Sequence, residues 1–134
     1  MALVNVKKKG HILLMELNRP EKMNAMNRAM YHEIAAAYYQ LEHDDDLRVG
    51  LMYAEGDHFT SGLQLMLNTD IRVAAKGTRF AQLEVKRGIF ACGGATIRLQ
   101  REIGWGNAQR YLLTGDEWSA EQAYDWGLIQ ELVE

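Results

Sequence analysis

The sequence predicts an α/β domain, and three observations carry that prediction. Val49-Gly50-Leu51-Met52-Tyr53-Ala54 is short and apolar at successive positions, as in a strand covered on both faces by helices. A helical period precedes it, with Met30, Ile34, Tyr38 and Leu41 on one stripe, and glycine-bounded helical segments fill the last third of the chain. The 134 residues, 48% hydrophobic and 25% charged, fit one folded domain over residues 1–134 rather than a disordered or disulfide-built chain.

Taken in order, Leu3-Val4-Asn5-Val6 and His11 through Leu17 flank Lys9-Gly10 and predict a β-hairpin ended by Asn18-Arg19-Pro20. Lys7-Lys8-Lys9 is expected in its solvated turn. Asn27 is a plausible N-cap for an amphipathic helix over about 27–43, closed by the solvated run Asp44-Asp45-Asp46. After the Val49–Ala54 strand, residues 55–69 suffice for a crossover carrying a short helix such as Gln64–Asn68, and Asp70–Ala75 reads as a second buried strand. Gly88–Gly94 opens a helix through about Arg101, two more cover Asn107–Leu113 and Ser119–Trp126, and Leu128–Val133 is a final strand.

Composition excludes several functions. A net charge of −3 supplies no basic field for nucleic acid or anionic lipid, and no apolar run approaches membrane-spanning length. The single Cys92 forms no intrachain disulfide and is expected as a small buried thiol; with no apolar signal core at the N-terminus, the reading is a cytoplasmic protein. No metal-ligand spacing exists, and three adjacent aspartates without a glycine turn make a poor calcium site.

The chemistry-bearing residues sit close together. Phe59-Thr60-Ser61-Gly62-Leu63 offers a glycine turn that frees a backbone N–H, and 22 residues after Gly62 comes Glu84, expected to end an apolar strand. Among Phe80, Leu83, Val85 and Ile89, desolvation favours the neutral carboxyl form, which suits general acid work; pairing with Lys86 or Arg87 is the plainer alternative.

Five segments in order resemble the crotonase (enoyl-CoA hydratase/isomerase) superfamily. Leu17-Asn18-Arg19-Pro20 with Asn24-Ala25 is similar to its LNRPxxxNA segment, and Phe59 through Leu63 to its FxxGx turn. Asp70-Ile71-Arg72-Val73-Ala74 and Phe80 through Glu84 resemble its DIRxA and FxxPE block, with Leu83 where proline is frequent. Leu113-Thr114-Gly115, Ser119-Ala120 and Gly127-Leu128-Ile129 resemble its ending.

The resemblance implies a crotonase-like ββα spiral, here incomplete, and a homotrimer or hexamer. It implies an acyl-CoA thioester as partner, with coenzyme A part of the substrate and no separate cofactor. Leu63 N–H, exposed by Gly62, would be one oxyanion donor, worth about 3 kcal/mol, and Glu84 the acid/base that moves a proton at the carbon α to the thioester. Lys22 would stand near the coenzyme A entrance, and Met23, Ala25 and Phe59 would line the acyl or adenine pocket. Gln64 stands twenty residues before Glu84, where family hydratases carry a second glutamate.

The family's intervening segment, with a core strand and a second donor, has no counterpart, so Leu63–Met66 is expected to join segments that the family keeps apart. Helices that cover the site and form the trimer would follow Glu134. Hydration of a trans-2-enoyl-CoA leads, a lyase reaction; isomerisation with one glutamate and an inactive acyl-CoA-binding or partner-binding scaffold are the alternatives.

Overall fold

A computed structural model describes residues 2–54, 58–59 and 63–134. The chain divides into two compact units, Met1–Ser61 and Gly62–Glu134.

In the first unit, β1 (Val4–Lys9) and β2 (Ile12–Leu17) form the expected hairpin, turned by Gly10 at φ 58°. Lys7, Lys8 and Lys9 belong to β1 itself and not to its turn, because antiparallel pairing with β2 continues to Lys9 and Ile12. Met30, Ile34 and Ala37 of α1 (Arg28–His43) bury against Leu13, Met15 and Leu17 of β2, so the alternation of β2 and the period of α1 meet in one core. Asn27 caps α1 by accepting from Met30 N at 2.8 Å, as predicted. Glu33 ties the helix to β1 by accepting from Leu3 N and Val4 N at 2.8 and 2.7 Å.

The chain then runs parallel to β2 as β3 (Val49–Ala54), giving the order β1-β2-β3. Gly50 permits the close approach of α1: a Cβ there would lie 2.7 Å from Leu41 Cδ2 and 2.8 Å from Met15 Cε. Burial of β3 on both faces is not observed. Val49 and Leu51 are 55% and 50% exposed, because α1 covers only the face that carries Gly50.

The second unit opens with α2 (Leu63–Met66), a single turn one residue ahead of the expected helix, on which the expected joint between segments falls. The strand predicted from Asp70 shortens to β4 (Val73–Ala75): the Arg72 N–H is diverted to a side chain, donating to Gln130 Oε1 at 2.8 Å, while its carbonyl accepts from Gln130 N at 2.8 Å. β4 pairs in parallel with β7 (Glu131–Val133), and β5 (Arg79–Ala81) pairs antiparallel with β6 (Glu117–Ser119).

Leu99 and Ile103 of α3 (Ala95–Ile103) and Ala108 and Tyr111 of α4 (Trp105–Thr114) build the core with Trp118, Leu128 and Ile129. Ser119 closes a capping box with Gln122 at the start of α5 (Ala120–Asp125). Arg72 is buried, and each of its three guanidinium nitrogens is engaged. It donates to the Thr69 and Leu128 carbonyls at 2.7 and 2.5 Å and pairs with Glu102 of α3. Among the described residues no helix is long and apolar enough to cross a membrane.

Candidate functional site

Three residues past β5 the chain turns into a 3-10 segment, Val85–Arg87, and Glu84 stands at its N-cap position. It therefore does not end a strand, as the apolar run suggested; β5 stops at Ala81 and the next residues bend away. Gln64 of α2 reaches this carboxylate directly, its Nε2 donating to Glu84 Oε1 at 2.6 Å in a partly buried setting. Among the described residues Glu84 makes no ion pair with Lys86 or Arg87. Twenty positions of sequence are thus closed by one hydrogen bond.

Gly93 makes room for that bond. A Cβ on it would fall 2.9 Å from Gln64 Cδ and closer still to Gln64 Oε1. Gln64 Oε1 is buried and has no partner, so its amide is half used. Leu63 opens α2, where a first-turn N–H has no partner within the helix, and its side chain is buried in the core. Gly62 lies outside the described residues.

Glu84 also forms part of the wall of a pocket of about 370 Å³, with Gln82, Ile89, Phe90, Gln100 and Trp105 among its lining. Glu84 is the one carboxylate among the described lining residues. The amide oxygens of Gln82 and Gln100 are buried without partners, which leaves two acceptors set among apolar groups. The largely apolar wall suits a ligand with an apolar chain. Cys92 is exposed and not a buried thiol, since Ala91 takes the inward position beside it.

In the first unit, Lys22 ends a 3-10 turn, Pro20–Lys22, and Met23 follows, 54% exposed. Met23 and Asn24 hold φ of 52° and 51°, left-handed values that side chains rarely adopt. Asn24 is fully buried and fastens this backbone. Its Oδ1 accepts from Arg19 N and its Nδ2 donates to the His58 carbonyl, each at 2.7 Å. Arg19 in turn holds the Ala25 carbonyl at 2.7 Å. Asn24, between Met23 and Ala25, thereby ties this turn to the His58 carbonyl, one residue before the half-buried Phe59.

Sequence reasoning gave no site role to Asn24, Gln82 or Gly93, although each stands in a segment it used, and did not reach Gln100. Gln82 had the clearest signal, a polar residue two places before Glu84 in an apolar run.

The sequence profile of the enoyl-CoA hydratase/isomerase family matches residues 7–65 and 51–134. An enoyl-CoA hydratase, EchA19, of Mycobacterium tuberculosis is 25% identical over 178 residues, covering 96% of this chain and 67% of that protein. The mitochondrial Delta(3,5)-Delta(2,4)-dienoyl-CoA isomerase of Mus musculus is 45% identical over 56 residues, 42% of this chain and 17% of the isomerase. The crystal structure of a probable enoyl-CoA hydratase/isomerase from Mycobacterium abscessus superposes with a TM-score of 0.92 at 34% identity, covering 98% of this chain and 69% of that one. The chain spans about two thirds of the length of the curated relatives that it matches end to end.

Proposed function

Because the chain belongs to the enoyl-CoA hydratase/isomerase family, we propose that it binds an acyl-CoA thioester and uses Glu84 to move a proton at the carbon α to the thioester, through an enolate. Glu84 takes the proton as a carboxylate and returns it as the acid, so the cycle closes on one residue. The enolate oxygen is held by Leu63 N–H, the residue after Gly62 in sequence. The pocket takes the acyl chain.

The pairing of Gln64 with Glu84 carries the reading. Double-bond isomerisation needs one carboxylate to shuttle one proton, and an amide donor orients that carboxylate without competing for the proton. Hydration, favoured from the motifs alone, also needs a base for water. Gln64 cannot be that base, although its unpartnered Oε1 suits it to orient one.

The test is turnover of a trans-3-enoyl-CoA, read as a rise in conjugated thioester absorbance, beside crotonyl-CoA, read as its loss. Glu84→Gln lowers both rates by about 10²–10⁴, and unchanged rates refute the role of Glu84. Gln64→Glu raises hydration relative to isomerisation. Thioester binding without turnover of either substrate identifies the inactive scaffold.

A further inference from the structure

The pocket that holds Glu84 has a direction. Trp105, Gln109, Leu112 and Leu113 line it from α4 and follow one another at helical spacing, so they form a single stripe along one face of that helix. From Trp105 to Leu112 is two turns, a run of about 10.5 Å at 1.5 Å per residue. Glu84 belongs to the Leu112 end. A Cβ on Gly115, the residue that closes α4, would fall 3.0 Å from Lys86 Cγ, which sets the 3-10 segment that Glu84 caps beside the end of the helix. Trp105 stands at the other end.

Both ends of the stripe offer apolar surface to a ligand. Trp105 and Leu113 line the pocket while 69% and 68% exposed, and Phe90, 75% exposed, adds to the same wall. A chain long enough to run the length of α4 covers them, and a short one leaves Trp105 in water.

We propose that the site selects acyl chains of about ten carbons over short ones such as crotonyl, with the chain laid along α4 and its terminal carbons against Trp105. This rests on the acyl-CoA reading above and adds the length of the substrate to it. An extended chain advances about 3.4 Å for every three bonds, so the stripe takes about nine bonds outward from the carbon α at Glu84. The volume agrees with the length. About 370 Å³ holds roughly a dozen carbon-sized groups at about 30 Å³ each, the share of a water molecule in the liquid.

Calorimetric titration with butyryl-, hexanoyl-, octanoyl-, decanoyl- and tetradecanoyl-CoA, saturated thioesters that bind without a double bond to react, tests this beside coenzyme A alone. The expected Kd falls about fourfold for each added CH₂ as far as decanoyl, and tetradecanoyl-CoA gains nothing more. Trp105→Ala lowers the ratio of decanoyl to butyryl affinity about tenfold, the loss expected when the terminal methylenes lie open to water. Ile97→Ala, at an exposed position of α3 outside the pocket lining, leaves that ratio as it is. Circular dichroism shows whether Trp105→Ala has folded, and the series on the unaltered chain decides if it has not. Affinity that ignores chain length, affinity that still climbs at tetradecanoyl-CoA, or a ratio indifferent to a folded Trp105→Ala overturns the length selection and leaves the acyl-CoA reading standing. A chain that binds none of the thioesters overturns both.

Discussion

At the scale of single residues, Gly93 matters for what it lacks. A Cβ there pushes Gln64, a flexible side chain, off Glu84 and leaves the surrounding backbone where it is. Gly93→Ala is expected to lower kcat about tenfold, roughly 1.4 kcal/mol in the transition state, with KM and the thermal midpoint little changed. Steady-state kinetics beside a melting curve read both.

Asp44 gives a pH dependence of definite sign. A hydrogen bond from Lys8, then one from the Asp46 backbone, holds its carboxyl below the ordinary 3.8, and the same contact raises the Lys8 ammonium above 10.5. The Asp44 contribution is present above pH 3.8 and disappears as pH falls through the folded-state value; that of Lys8 is present below 10.5 and disappears as pH rises through its own. Asp44→Asn therefore flattens the acid limb of stability against pH, less so in high salt, as unfolding midpoints across pH will show. The apolar setting of Glu84 was legible in the sequence because a carboxyl among apolar neighbours is a local pattern. Asn24 and Gln100 were not, since burial of an amide is settled by segments far away in the chain.

At the scale of elements, legibility followed length. The sixteen-residue α1 has four turns in which to display its period and a polar cap to mark its start, and it formed where predicted. A strand was expected up to Glu84, and β5 forms there but stops at Ala81; β6, three residues long, is too short for an alternation and was not foreseen. The strand expected from Asp70 failed for a physical reason: Arg72 bonds Gln130, which no pattern near Arg72 announces. The capping box of α5, by contrast, is written in Ser119 and Gln122. Ser119→Ala removes the acceptor for Gln122 N and is expected to cost about 1 kcal/mol, read as a lowered denaturant midpoint with an unchanged slope.

At the scale of the whole molecule, each unit has its own core. Leu13 is fully buried in the first and Leu99 in the second. Leu13→Ala is expected to cost about 2–5 kcal/mol and to speed amide exchange in β1, β2 and β3, while α3 and α4 keep their protection. Equal acceleration in both would mean that the two cores unfold together. The family was legible because its motifs are short and local, and so was the amide of Gln64 twenty residues before Glu84. That this amide donates to Glu84 was not, since the bond depends on how the chain between them folds.

The three tryptophans of the chain all lie between residues 105 and 126, in two kinds of surroundings. Trp118 is 1% exposed in the core, whereas Trp105 is 69% exposed and helps line the pocket that holds Glu84. An indole in water emits to the red of a buried one, so the native protein carries its own optical gauge. A ligand entering the pocket dries Trp105 and draws the emission band toward the blue, whether or not any bond in that ligand is changed.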